Sequence, residues 1–194
     1  EGWKKLMPDY TFKKWDKKAF DIHSVKWVED AYANRKWAFA ADYIRAYALY
    51  TEGGFYLDSD VEMRKRLDPF LDNGFVSSLE YVPSQRSKVL DATTSDGKRK
   101  EGVDNVPGLG IQAAVIGGEK GHPFFKRLLD YYHSHDFCLA DGTFNQLPAP
   151  AIYARILEDY GLRYRDVEQQ FKDRVHIYPS SVFAGYATAT FSSV

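Results

Sequence analysis

Gly53-Gly54-Phe55-Tyr56-Leu57-Asp58-Ser59-Asp60-Val61 is the stretch on which the reading of this chain turns. Two glycines stop the helical pattern before them, three apolar residues make a short strand, and two carboxylates one residue apart follow at its carboxyl end. In open α/β sheets, ligands bind in the crevice at those ends. Along an extended chain Asp58 and Asp60 point to one side while Ser59 points away, so both reach one ion. Such hard oxygen donors suit magnesium or manganese, which also take phosphate oxygens as ligands. A solvated turn after an edge strand has the same three letters. What raises this triplet above chance is its setting: the apolar strand, the Gly-Gly stop and Glu62 beyond it.

Upstream, apolar residues recur at helical spacing from Val25 to Ala33 and again from Trp37 to Thr51. On the second helix Asp42 and Arg45 are three apart and share a face, among the small or apolar Ala40, Ala41, Ile44 and Ala48. A local ion pair on a solvated face is the plain reading of that spacing. The sharper one has the helix packed beside the Phe55 strand, with Asp42 accepting from sugar or ribose hydroxyls and Arg45 donating to them. Trp3 to Met7 reads as the last turns of a helix, and Tyr10 to Trp15 alternates as a half-buried strand does.

Downstream, Phe75 to Tyr81 is expected as a strand, and the polar stretch 83–107, with five basic residues, as a mobile flap or acceptor loop. Ile111 to Ile116 reads as a small-residue strand. Gly121-His122-Pro123 opens a helix with proline in its first turn, Pro150 opens another to Tyr160, and Val175 to Tyr178 is a last strand. Helices and strands alternate without an internal repeat, which gives an α/β domain.

At 194 residues the chain is expected to form a single domain over 1–194, cut at both ends: it opens inside a helix and stops in the strand-like Ala187 to Val194. With 26 basic against 27 acidic side chains, the charge balance gives no support for a nucleic-acid partner. The single Cys138 excludes an internal disulfide and a cysteine-built zinc site, and reads as a small hydrophobe. No apolar run is long enough for a membrane span.

The run Ala38-Phe39-Ala40-Ala41-Asp42-Tyr43-Ile44-Arg45, followed by Gly53-Gly54-Phe55-Tyr56-Leu57-Asp58-Ser59-Asp60, resembles the sugar-binding DXD region of glycosyltransferase family 32. Capsular polysaccharide transferases, yeast-type mannosyltransferases and, more distantly, the large glucosylating toxins are among its relatives. The resemblance implies a GT-A, Rossmann-like core with a central mixed sheet. It also implies metal-dependent transfer, with retention, of a sugar from a nucleotide diphosphate sugar, by default a UDP-sugar, to a saccharide or glycolipid acceptor. By the same resemblance Asp42 and Arg45 contact the donor's sugar and ribose, Tyr56 lies close to the nucleotide, and Asp58 and Asp60 hold Mn2+ or Mg2+. Asp58, Asp60 and Arg45 are then the catalytic set. Gln112 stands at a donor-side position where relatives commonly carry asparagine, and Ala149-Pro150 replaces a usual Gly-Pro. A cytoplasmic location at the membrane face, with peripheral association, is inherited in the same way.

Two other readings stand beside this one. Leu57-Asp58-Ser59-Asp60-Val61 also fits the opening motif of haloacid-dehalogenase-type phosphatases, with Asp58 as nucleophile. That fold places the motif on its first strand and needs a later Asp-Asp pair, which does not follow here. The other is a non-catalytic nucleotide- or carbohydrate-binding domain. His122 is readable as a helix cap or as a base, and Asp141, His133 and His135 as weak candidates for the acceptor side.

Overall fold

A computed structural model of the chain describes residues 2–184. Its helices are α1 Gly2–Leu6, α2 Lys26–Ala33, α3 Trp37–Glu52, α4 Arg86–Ala92, α5 Pro123–Ser134, α6 Ala149–Glu158 and α7 Ser180–Phe183. The strands are β1 Gly54–Leu57, β2 Phe75–Tyr81, β3 Leu109–Ile111, β4 Val115–Gly118, β5 Gln169–Phe171 and β6 Val175–Tyr178. They form a six-stranded sheet in the order β1-β4-β2-β6-β5, with β3 paired to β2 off that path. The sheet is mixed: β2 runs parallel to β6, while β3 is antiparallel to β2 and β5 to β6. The chain is therefore α/β, and the sheet is compatible with a GT-A-like core.

The fold divides into two compact units, Glu1–Asp72 with Gly117–Gln146, and Asn73–Ile116 with Leu147–Val194. The first unit has an aromatic core. Trp27 is buried against Tyr132 and Phe137, with ring centroids 5.0 and 5.3 Å away, and its indole N–H donates to the Phe39 carbonyl at 3.0 Å. Tyr43 of α3 meets Phe20 and Tyr132 at 5.8 and 5.9 Å. In the second unit, Phe75 to Leu79 are buried without a break, the pattern of a strand covered on both faces, and β6 runs beside them.

Three expectations are corrected. Tyr10 to Trp15 is no strand: side chains, not a ladder, hold it, with Phe12 stacked on Trp3, Lys13 paired to Glu52, and Trp15 edge-on to Tyr47. Alternation describes exposure, and a docked irregular segment alternates as well as a strand does. The stretch 83–107, expected as a loop, carries a 3-10 turn at Pro83–Gln85, then α4, and a bridge between Thr93 and Arg99. The expected strand Ile111 to Ile116 breaks into β3 and β4. Gln112 accounts for the break, because its side-chain carbonyl accepts the Val115 N–H at 2.9 Å and its amide donates to the Val115 carbonyl. Strand β5 goes unforeseen, and Ala187 to Val194 lies outside the described residues.

Candidate functional site

Helix α3 has small residues, Ala40, Ala46 and Ala48, at buried positions, so its neighbours approach closely. Gly53 ends it at φ 72°, where a side chain is strained, and a Cβ there would lie 2.8 Å from the Lys120 nitrogen. The chain then reverses straight into β1. Beside it Gly117 makes room for the Phe55 ring, since a Cβ on Gly117 would stand 2.4 Å from that ring. Helix and strand are thereby held side by side.

The plain reading of Asp42 and Arg45 as a solvated pair does not hold. They are only 8% and 6% exposed, and their charged ends are 3.0 Å apart. The Arg45 guanidinium lies over the Tyr56 ring, 4.7 Å from its centroid, and also 3.7 Å from the Asp58 carboxylate. The Tyr56 hydroxyl donates to that same carboxylate at 2.7 Å. Asp42, Arg45, Tyr56 and Asp58 are thus one cluster from a helix and the strand that follows it. Burial pushes the Asp42 carboxyl up to about 6, against the pull of Arg45 and with the nearby Asp58 charge adding to the rise. Burial also raises the Tyr56 hydroxyl, again opposed by Arg45. A buried cation facing two carboxylates, one of them half-exposed, is a polar centre held rigid by packing.

Asp58 follows β1 directly, as the sequence reading requires, but β1 is a half-buried strand at the end of the sheet order rather than a buried one. Asp58 to Val61 closes as a turn, the Val61 N–H donating to the Asp58 carbonyl at 3.1 Å. The extended-chain argument for placing Asp58 and Asp60 on one side therefore does not apply here. Asp60 is exposed in that turn. The turn is anchored from α1, where the Trp3 indole donates to the Val61 carbonyl at 2.8 Å. Further along, the Arg66 guanidinium takes both oxygens of Asp9 at 2.7 Å and also binds Asp68. Neither anchor is foreseen from sequence; the only signal for them is an indole and a guanidinium in otherwise irregular stretches.

Among the described residues no group of three or more His, Cys, Asp or Glu is placed to hold a metal ion. Two carboxylates at most are on offer, Asp58 half-buried and Asp60 open. That donor set fits an ion of the magnesium class, which is commonly held by one or two carboxylates together with substrate phosphates.

The remaining candidates have other partners. Gln112 lies in the second unit, buried, with its amide engaged by Val115 and by the Ser77 hydroxyl at 3.2 Å. His122 caps α5, its Nδ1 accepting the Phe124 N–H at 3.2 Å. His133 meets the Tyr43 hydroxyl at 2.9 Å, His135 stacks on Tyr131 at 4.1 Å, and Asp141 accepts from the Thr143 N–H and hydroxyl.

Residues 1–76 match the family model described as glycosyltransferase sugar-binding region containing DXD motif. That span runs from α1 into β2 and includes Asp42, Arg45, Tyr56, Asp58 and Asp60, while Gln112 falls outside it. The match supports a glycosyltransferase-like sugar-binding region. No curated protein and no solved structure matches the chain.

Proposed function

We propose that this chain is a metal-dependent glycosyltransferase that takes a nucleotide diphosphate sugar, a UDP-sugar by preference, and passes the sugar to a saccharide acceptor with retention. The observation that carries this reading is the buried Asp42–Arg45 pair reaching Asp58 at the end of β1. A buried ion pair seldom adds net stability over apolar residues of equal size, so one that opens towards a half-exposed carboxylate calls for a functional reason.

In this reading Arg45 is the fixed donor. Asp42 and Tyr56 hold its guanidinium in one orientation, so no rotamer freedom remains to be lost when a sugar or ribose hydroxyl arrives. Asp42 accepts from a hydroxyl and Asp58 fixes the donor's phosphate end. Asp58 and Asp60 would hold Mn2+ or Mg2+, which when bound neutralises charge on the leaving diphosphate. In the transfer the bond from the anomeric carbon to the diphosphate oxygen breaks, and one from that carbon to the acceptor oxygen forms. The acceptor's proton passes to the departing diphosphate, so no protein nucleophile or base is needed.

The test is release of nucleoside diphosphate from UDP-glucose, UDP-galactose and GDP-mannose, with manganese and with chelator. Manganese-dependent release that is lost in Arg45→Lys is expected. Tight donor binding without release would favour the non-catalytic reading. Peripheral membrane association belongs to the same proposal. It draws support from Trp37, 53% exposed, in a groove with Lys14, Lys17 and Lys18, a pairing of ring and cation suited to an anionic lipid surface.

A further inference from the structure

The second unit contains a cavity of about 250 Å³ between the end of β2, the strand β3 and the start of α6. Of its polar side chains, Asp104, Arg155 and Tyr164 have partners, and three others have none among the described residues: Glu80, Gln85 and Asn105. Glu80 and Gln85 are half-buried. None of the three side chains makes a hydrogen bond or an ion pair with the described residues. For a half-buried carboxylate that is costly unless a ligand or water takes its lone pairs. The cause is local: the residue opposite Glu80 on β3 is Gly110, and directly paired residues share a face, so β3 puts no side chain beside the carboxylate.

The lining also has apolar surface, from Pro150 and the ring of Tyr164. Tyr164 is fixed, its hydroxyl donating to Glu158 at 2.7 Å, and Glu158 also takes the Arg99 guanidinium in two bonds of 2.8 Å. At the rim, the Arg155 guanidinium is bonded to the Asp104 carbonyl at 3.0 Å, which secures the loop that carries Asn105.

We propose that this cavity is a binding site for one neutral pyranose ring. A sugar ring presents hydroxyls that donate and accept around its edge and C–H groups on its faces. Glu80 accepts two hydroxyl donors, the amides of Gln85 and Asn105 both donate and accept, and the Tyr164 and Pro150 surfaces take a face. The volume admits one ring. This site lies wholly in the second unit, shares no residue with the Asp58 cluster, and does not depend on the function proposed for that cluster.

The experiment is a titration of the full chain with methyl glycosides of glucose, galactose and mannose, followed by 15N–1H spectra of the side-chain amides of Gln85 and Asn105. Lysine methyl ester is run as a cationic control. Saturable shifts with at least one glycoside are expected. Binding should weaken about tenfold in Glu80→Gln, which keeps the shape and removes the charge. Asn105→Ala, an exposed change at the rim, should weaken it as well, which guards against a folding defect in the first variant. Three results would overturn the site: no shift with any glycoside, shifts with lysine methyl ester alone, or affinities untouched by both substitutions. Titration with UDP and manganese is read at other residues, so failure here leaves the donor-site reading standing, and the converse holds.

Discussion

Asp42 sits three residues before Arg45 and within its reach, yet burial outweighs that attraction and lifts the carboxyl to about 6. The folded chain then binds a proton that the unfolded chain, titrating near 3.8, does not. The contribution of this group to stability is full below pH 4 and is lost as pH rises through 6. Relative to Asp42→Asn, the wild type should gain on the order of 2 to 3 kcal/mol between pH 7.5 and 4.5. Urea unfolding of both proteins across that range would show it, and parallel curves would refute the shift. Arg45→Met tests the other half of the pair. It leaves Asp42 buried without its cation and should cost roughly 3 to 5 kcal/mol at pH 7.5, less at pH 4.5, where Asp42 is neutral. The spacing and the shared face of this pair were legible in the sequence. Its burial was not, because that depends on what packs against the helix, and α5, whose Tyr132 and His133 meet Tyr43 of α3, comes much later in the chain.

At the scale of elements, α3 and β1 were readable to within a residue or two. A helical repeat of small and apolar residues runs into two glycines, and the strand after them is too short to be anything else. Gly117 is the hidden half of that arrangement. Gly117→Ala should lower stability by about 1 to 3 kcal/mol, because the added carbon meets the Phe55 ring, which must shift to admit it. Thermal unfolding would measure the loss. His122→Ala should cost about 1 kcal/mol through the lost α5 cap and leave sugar transfer unchanged; a collapse in turnover at intact stability would revive the histidine as a base. Helix α4 and the break at Gln112 escaped the sequence reading for one reason. Each is set by a local hydrogen-bonding choice, one in a polar stretch without apolar periodicity and the other by a side chain imitating backbone, and hydrophobic pattern reports neither.

For the whole molecule, the alternation of elements sufficed for an α/β assignment, and the family match over residues 1–76 falls where the sequence pattern was strongest. The chain crosses between the two compact units more than once, and no linker composition marks the crossings. Among the described residues no helix is long and apolar enough to cross a membrane, and the proposed lipid contact is tested at the lysines beside Trp37. Co-sedimentation with vesicles rich in phosphatidylglycerol should fall when Lys17 and Lys18 are both changed to Glu, and binding that ignores both the substitutions and added salt would exclude the lysines as the contact. In the proposed function Asp58 and Asp60 make a metal-linked diphosphate site beside the Arg45 cluster. Calorimetric titration of UDP into the native chain and into Asp60→Ala, with and without manganese, tests it most directly. Binding that needs manganese and disappears in Asp60→Ala, a substitution at an exposed position, is expected. UDP binding of equal strength with or without manganese, or undiminished in the variant, would contradict it.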